Sequence, residues 1–440
     1  MPIKQYKCLS CGGALVFDSG ARKMSCRHCD SEFELADVED YQSELEAHPE
    51  EGLCWSARSR EIEAWENGGL GELESGSCPS CGAELVGGQN AIAMVCPFCG
   101  NAQIVKSRIS GLLKPDCVIP FRLDKAAAAG ALESFCQGKR LLPDGFREKP
   151  ARDMSSVYVP FWLFDARARG HLRFRATKTR SWSDAAYNYT KTDYYSVVRD
   201  GELSFEKIPV SACDKLSGGR VEAIEPFDYG DLKDFSPAFL SGHAAEKFDL
   251  SVDKCREAAG ARIKESVERQ FAGSVSGYSS VTTESSSVEV TDDKASYGLL
   301  PAWTLNVRHD GKTHFFMVNG QTGALAGILP VDRRKCWKYG ILIFLISGAA
   351  LSLGALALWR FLDIDFLPMA IAAWACALVV GLSVVGSWKG AMSRATGSAA
   401  ACDYASPGSL SFREKKDRFL YSKVVKVRRQ QQPSGGRRRR

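Results

Sequence analysis

Two long apolar runs near the C-terminus dominate the hydrophobic pattern of the chain. YGILIFLISGAALSLGALALW spans residues 339–359, PMAIAAWACALVVGLSVVGSW spans residues 368–388, and neither contains a charged residue. As a helix, each run is long enough to cross the hydrocarbon core of a bilayer. Soluble cores rarely keep two such lengths free of charge. The pattern predicts a C-terminal two-helix transmembrane hairpin with helices at 339–359 and 368–388.

Charges at the ends of these runs predict the orientation of the hairpin. Basic residues lie outside it, at Arg333, Arg334, Lys335, Lys338, Lys389 and Arg394. The connecting loop, RFLDIDFL, carries Asp363 and Asp365 beside Arg360. Lysine and arginine next to a span favour the cytosolic side of the membrane. We therefore expect a multi-pass protein of the cell inner or plasma membrane with both termini in the cytosol.

Shorter patterns between residues 117 and 330 predict an α+β cytosolic domain with an antiparallel sheet. Its clearest part is LPAWTLNVRHDGKTHFFMVNGQTGALAG, in which two strands flank the turn residues Asp310 and Gly311. Helical patterns cover 124–136 and 253–271, and strand-like patterns cover 157–164, 171–177 and 192–198. Mixed patterns of this kind are typical of α+β folds.

The N-terminal region contains the same cysteine pattern twice. KCLSCGGALVFDSGARKMSCRHCD at 7–30 and CPSCGAELVGGQNAIAMVCPFCG at 78–100 superimpose after a shift of 70 residues, which also aligns Val16 with Val86. Each CxxC pair folds as a turn that directs two thiolates at one centre, and two such pairs complete a tetrahedral zinc site. The predicted ligands are Cys8, Cys11, Cys26 and Cys29, then Cys78, Cys81, Cys96 and Cys99. We expect two structural Zn2+ ions, in zinc ribbons at 1–36 and 77–106, rather than disulfides or a chance spacing.

The amino-acid composition indicates the cellular compartment and shows that charge is distributed unevenly along the chain. The eight cysteines outside the ribbons show no pairing rhythm, which favours reduced thiols in the cytosol. Residues 30–77 hold 15 acids against two arginines, so we interpret 37–76 as an acidic, partly helical spacer. Residues 389–440 hold 14 lysines and arginines against three acids, which defines a basic cytosolic tail.

The basic tail raises three alternatives. Its charges can be a solvated run, can attract anionic lipid at about 1 kcal/mol per basic residue near the membrane surface, or can bind nucleic acid with a steep salt dependence. Phe412, Phe419, Leu420, Val424 and Val427 are interleaved with the charges, so several can share one helical face, although KVVKV also fits a strand. We favour anionic lipid.

Motifs that carry catalysis are missing from the sequence. Gly311-Lys312-Thr313 resembles the end of a phosphate loop, but the pattern requires glycine at the position of Asn306. HExxH, GxSxG and GxGxxG after a strand do not occur. His28 lies between two cysteine ligands and is predicted to face solvent. We predict no catalytic or cofactor-binding residue apart from the metal ligands, and no enzymatic activity.

The order of these segments resembles an uncharacterised family of bacterial double zinc-ribbon membrane proteins. The resemblance rests on the two ribbons, the acidic spacer, the membrane hairpin and the segments VIPFRLDK (118–125), VYVPFWLFD (157–165), SFEKIPV (204–210) and AIEPFDYGDLKDFSPAFLSG (223–242). Members are often labelled as TFIIB-type zinc ribbon, RNA polymerase subunit P or replication-restart (primosomal) helicase. Some relatives are similar to members of membrane-stress gene clusters that include SPFH-domain scaffold proteins, which implies an adaptor role.

Two functions follow as expectations. The first is a membrane-anchored cytosolic adaptor or scaffold whose ribbons recruit a protein partner, for which an SPFH-domain scaffold is a candidate. The alternative is a nucleic-acid-binding protein of transcription or replication. The acidic spacer and the lack of any lysine or arginine in residues 78–105 weigh against nucleic acid at the ribbons.

Overall fold

The computed structural model describes residues 6–47, 52–55, 74–87, 96–101, 104–107, 114–147, 154–213, 221–362, 366–394 and 404–428. The helices are α1 (Leu35–Ala47), α2 (Lys125–Cys136), α3 (Asp144–Arg147), α4 (Val252–Gly273), α5 (Arg333–Leu362) and α6 (Phe366–Gly390). The N-terminal strands are β1 (Leu15–Asp18), β2 (Lys23–Cys26), β3 (Glu32–Phe33), β4 (Gly52–Trp55), β5 (Glu74–Ser77), β6 (Glu84–Gly87), β7 (Val105–Ser107) and β8 (Cys117–Val118). The later strands are β9 (Ser155–Ser183), β10 (Tyr187–Ser211), β11 (Lys233–Asp234), β12 (Ala244–Glu246), β13 (Ser280–His309), β14 (Lys312–Asn319), β15 (Leu325–Ile328), β16 (Ser393–Arg394) and β17 (Ser411–Arg428).

Four very long antiparallel strands form the centre of the protein, in the order β13–β9–β10–β17. β9 merges the two strands predicted at 157–164 and 171–177 into one strand of 29 residues. Its first part, Val157–Phe164, is buried on both faces, as the continuous apolar pattern indicates. Alternating arginine and apolar residues then continue the same strand with one face more exposed.

The core lies on both faces of this sheet. Tyr158, Trp162 and Phe164 pack toward α4, whereas Val157 and Phe161 pack into a second cluster on the opposite face. α4 lies close to the sheet at Gly170, where a Cβ atom would be 2.7 Å from Cγ1 of Val267. A glycine at this point allows the helix to approach the strand, because any larger side chain would need that space.

The sheet extends beyond the predicted domain at 117–330. Within the described residues it has 14 strands and includes β4 to β7 from the N-terminal region and β16 and β17 from the C-terminal region. The pairs β9–β12, β13–β4 and β13–β8 are parallel, so the sheet is mixed and not antiparallel throughout as predicted. Within the predicted basic tail at 389–440, residues 411–428 form an edge strand that pairs with β10 from Tyr187 to Glu202, which selects the strand among the two conformations left open by the sequence. The aromatic and β-branched residues of this segment favour a strand over the amphipathic helix.

The two apolar helices form an antiparallel hairpin that begins and ends at one edge of the sheet. β15 precedes α5, and β16, which follows α6, pairs back onto β15. At the base of the hairpin, the ring centroids of Tyr339 and Trp388 are 5.7 Å apart. Lys139 of the α2–α3 connection donates to the carbonyl oxygen of Ala391 at 2.7 Å. The connecting loop with Asp363 and Asp365 lies outside the described residues.

Candidate metal centres

The first cysteine cluster is formed by the turns on either side of the β1–β2 hairpin. The Sγ atoms of Cys8 and Cys29 are 3.6 Å apart, and those of Cys11 and Cys26 are 3.5 Å apart. All four Sγ atoms lie within 4.8 Å of one another. The structure therefore brings together the four ligands that were predicted from the spacing.

The second cysteine cluster repeats this arrangement. The Sγ atoms of Cys78 and Cys99 are 3.5 Å apart, and those of Cys81 and Cys96 are 3.7 Å apart. Among the described residues, no other group of three or more His, Cys, Asp and Glu side chains is as close together. Within that part of the chain, the candidate metal sites are therefore the two predicted four-cysteine sets.

These distances fit a tetrahedral ion with thiolate ligands. A Zn–S bond of about 2.3 Å in a regular tetrahedron requires S–S separations of about 3.8 Å. The separations of 3.5 to 3.7 Å are close to this value and are too long for a disulfide bond, whose sulfur atoms are about 2.05 Å apart. Four sulfur ligands favour zinc or an iron–sulfur cluster over hard cations.

The local backbone explains why these sequences form the turns. In each CxxC turn, the residue after the second cysteine has a positive φ: Gly12 at 74°, Asp30 at 53°, Gly82 at 73° and Gly100 at 73°. Glycine adopts this conformation without strain, and aspartate is among the residues that tolerate it. The amide of each of these residues also donates to the carbonyl oxygen of the first cysteine in its turn, at 2.8 to 3.0 Å.

The thiols of the first cluster differ in their readiness to lose a proton. The Ser31 hydroxyl, 3.3 Å from Sγ of Cys29, lowers the pKa of that thiol to about 6. Burial raises the pKa of the Cys8 thiol to about 12. A metal ion binds thiolates, so binding at this cluster displaces the protons that the buried thiols would otherwise keep.

The first ribbon docks onto the large sheet through aromatic contacts. Its core contains Met24 and Phe33 together with Val38 of α1, and this core includes Leu420 of β17. The rings of Phe33 and Tyr421 meet edge to face, with centroids 6.0 Å apart. Polar contacts support the interface, because Arg418 donates to Asp40 at 2.8 Å and Arg175 donates to the Leu9 carbonyl at 3.3 Å.

The second ribbon is part of the large sheet itself. Its strand β6 pairs with β12, with Val86 opposite Ala245, and β12 pairs in turn with β9. Cys78, Cys96 and Phe98 belong to the same core cluster as Val157 and Phe161 of β9. The side-chain amide of Asn306 donates to the Pro97 carbonyl at 3.1 Å, which fixes the second CxxC turn against β13.

This difference leaves one apolar strand exposed. Val16 and Phe17 of β1 are 42% and 50% exposed, and Leu35 at the start of α1 is 37% exposed. At the equivalent position of the second ribbon, Val86 is only 6% exposed. Sequence reasoning missed the contrast between Val16 and Val86 because the aligned residue is valine in both ribbons, and the pairing of β6 with β12 is visible only in the fold.

The histidines and turn residues noted in the sequence are not members of either four-cysteine cluster. His28 is exposed, as predicted. Asp310 and Gly311 form the tight turn between β13 and β14, and both have positive φ. His309 and His314 are on these strands, where each ring meets Phe146 edge to face at about 6 Å. The tail residues Arg429 and Arg437 to Arg440 lie outside the described part of the chain.

Fold and site together define a class of protein: two four-cysteine modules joined to one large mixed sheet, with a C-terminal pair of helices long and apolar enough to cross a membrane. The chain is 32% identical over 342 residues to the uncharacterized protein YdjG of Bacillus subtilis (strain 168). The match covers 77% of this chain and 94% of that relative, so the chain belongs to the YdjG family. No family model and no solved structure matches the chain.

Proposed function

We propose that this protein is a membrane-anchored adaptor whose first ribbon recruits a protein partner. The observation that carries the proposal is the exposure of three apolar residues of the first ribbon, Val16, Phe17 and Leu35, which we call the β1 patch. Exposed apolar side chains favour protein–protein contacts, since burying them on association is favourable. In the second ribbon, the equivalent strand is covered by β12 of the same chain.

Each four-cysteine cluster holds one structural zinc ion in this proposal. Four protein thiolates complete the tetrahedral coordination of zinc and leave no position for water or substrate. Structural zinc contributes about 10 to 16 kcal/mol to the folding of small modules, so a ribbon keeps a rigid surface without a large core. Both ions therefore have a structural role. One stabilises the second ribbon within the large sheet, and the other stabilises the first ribbon, which carries the β1 patch.

The apolar hairpin α5–α6 is the proposed membrane anchor, with both termini in the cytosol. Both helices are strongly apolar, and only 11% and 17% of the most apolar 18-residue stretch of each helix is buried inside the protein. A helix of a soluble core would be mostly buried. Leu345, Leu353 and Leu382, at 50%, 69% and 67% exposed, would face lipid.

The partner that we propose is an SPFH-domain scaffold protein of the same membrane. This choice rests on the resemblance to proteins from membrane-stress gene clusters that contain such scaffolds. An anchored adaptor meets a membrane scaffold at high effective concentration, so a small apolar patch suffices for a stable contact.

Co-purification from detergent-solubilised membranes tests the proposal. Full-length chain is captured, and an SPFH-domain protein of the same organism is quantified by immunoblot. Phe17→Asp should abolish its recovery, because a charge would be placed in the contact, while the zinc content stays unchanged. Val105→Asp, at an exposed position of β7 in the second ribbon, is the matched control. Equal recovery with both variants would contradict the proposal.

A further inference from the structure

The far ends of β9, β10 and β17 continue beyond the rest of the sheet. β13 begins at Ser280, opposite Thr177, so the later residues of β9 pair with β10 alone among the described strands. We call residues 178–195 and 421–428 the finger. At about 3.3 Å per residue, its tip at Trp182 is roughly 90 Å along the strand from Ser155, near which the helix hairpin is attached.

One face of the finger combines cations with aromatic rings. Residues directly opposite each other on paired strands point to the same side of a sheet. On this face the register places Trp182 beside Tyr189 and Lys426, and Arg180 beside Lys191 and Val424. Further members of the same face are Lys178, Tyr187, Asp193, Ser422 and Arg428. We call this the basic aromatic face.

The rings on this face are stacked and extend to the edge of the sheet. Trp182 and Tyr189 are parallel within 6°, with centroids 5.5 Å apart. The ammonium group of Lys426 is 3.8 Å from the ring centroid of Tyr187 and 5.4 Å from that of Tyr189. Trp182 is 49% exposed and lies on the edge strand, so a further flat ring can continue the stack.

The acids of the finger are engaged in local contacts. Asp193 is 3.2 Å from the Lys191 ammonium and accepts a hydrogen bond from Ser422. Asp184, in the turn between β9 and β10, accepts from the amides of Ala186 and Tyr187 and from the Tyr189 hydroxyl at 2.9 Å. The basic aromatic face therefore carries five cations and two carboxylates, Asp193 and, beside Tyr189, Asp184, and it presents net positive charge.

We propose that the basic aromatic face of the finger binds single-stranded nucleic acid. Proteins that bind such strands combine cations along the phosphate backbone with aromatic rings on which bases stack, and both are present here in adjacent rows. The opposite face carries Ser181, Thr190 and the exposed aliphatic residues Val425 and Val427. Of the three exposed valines at this end of β17, Val424 lies on the basic aromatic face and the other two on the opposite face. A bilayer surface would favour several aliphatic groups beside the cations, so this arrangement favours nucleic acid over lipid.

The sequence adds charge where the finger ends. Arg429 comes directly after β17 in the sequence, and Arg437 to Arg440 come after seven further residues. Each cation that neutralises a phosphate releases counterions, which strengthens binding at low salt and weakens it as salt rises. This inference is independent of the β1 patch and of membrane insertion, because it concerns a different part of the protein.

Fluorescence anisotropy with full-length chain in neutral detergent micelles tests the inference. The probe is a labelled mixed-sequence DNA strand of about 16 nucleotides, the upper range of a single binding module. Trp182→Ala should weaken binding about tenfold through the loss of one stacked base, and Trp182→Phe should restore most of it. Lys191→Glu with Lys426→Glu should weaken binding further and reduce its salt dependence, whereas Lys312→Glu, on an exposed strand end elsewhere, should have little effect.

Three results would overturn the inference. They are no binding at physiological ionic strength, equal losses for Lys312→Glu and the finger variants, and equal binding by Trp182→Ala and the unchanged chain. Mixed micelles with phosphatidylglycerol are used in a separate arm. Binding to these micelles that depends on Lys191 and Lys426, without binding to the DNA strand, would assign the face to anionic lipid instead.

Discussion

Val16 and Val86 are equivalent residues of a duplicated module, yet Val16 is 42% exposed and Val86 is 6% exposed. The difference arises because β12 pairs with β6 and places Ala245 opposite Val86. This difference in exposure supports separate roles for the two ribbons: the second stabilises the sheet, and the first presents an apolar surface for binding. In our proposal, the same four-cysteine site serves once as a structural element of the sheet and once as a rigid support for a binding surface.

Loss of the second metal site should affect far more of the protein than loss of the first. Cys81→Ser and Cys11→Ser should each leave one zinc ion per chain. Cys81→Ser should also lower the main thermal transition strongly, because this ribbon shares a core with Phe161. A substantial part of the zinc contribution of about 10 to 16 kcal/mol is then lost. Metal analysis and calorimetry measure both effects.

Cys11→Ser is the control for this comparison. The first ribbon contacts the sheet mainly through Leu420, Tyr194 and Tyr421, so its loss should change the main transition by less than about 2 kcal/mol. Equal shifts for the two variants would contradict the proposed division between the ribbons. An iron–sulfur absorption band would contradict zinc.

The segment after the helix hairpin should depend on a buried ion pair. Glu225 has no exposed side-chain surface, lies 2.7 Å from the Arg262 guanidinium and accepts a hydrogen bond from Tyr404 at 2.8 Å. Arg262→Met should cost about 3 to 5 kcal/mol because it leaves a buried carboxylate without its partner. Tyr404→Phe should cost about 2 kcal/mol, as expected for a hydrogen bond to a charged group.

Denaturant unfolding in micelles measures these losses. Tyr187→Phe is the control. It removes the hydroxyl group of a partly exposed ring and should change the free energy of unfolding by no more than about 0.5 kcal/mol. If Tyr404→Phe changed the free energy of unfolding as little as this control, the hydrogen bond from Tyr404 to Glu225 would not hold the C-terminal segment to the sheet domain.

Both ends of the helix hairpin should be on the same side of the membrane. β16 pairs with β15, and β17 pairs with β10, so the chain returns to one sheet after α6. Protease sites before Met1 and after Arg440 should be cut from the cytosolic side of sealed vesicles. A site inserted at Asp363 should be cut only from the other side. Cleavage of all three sites from one side would contradict membrane insertion of the hairpin.

The sequence predicted the local features well because they depend on short-range chemistry. The spacing of Cys8 and Cys11 reflects the geometry of one turn. The helix at 125–136 is preceded by its N-cap residue Asp124, whose carboxylate accepts a hydrogen bond from the Ala127 amide. Asp310 and Gly311 are likewise sufficient to define a tight turn.

Long-range pairing was beyond the reach of the sequence. The partner of β17 is β10, with Lys426 opposite Tyr189, although the two residues are separated by the whole helix hairpin. Nothing local indicates such a pair, because strand register depends on which faces become buried. For the same reason, the contrast between Val16 and Val86 and the contact of Glu225 with Arg262 and Tyr404 became visible only in the fold.

Site-specific photocrosslinking from position 17 in intact membranes tests the central claim most directly. A photoreactive residue replaces Phe17 in one variant and His28, on an exposed turn of the same ribbon, in the other. The account predicts a crosslink between position 17 and an SPFH-domain scaffold protein, identified by mass spectrometry, and none from position 28. Crosslinks of equal strength from both positions, or none to a scaffold protein from position 17, would contradict the account.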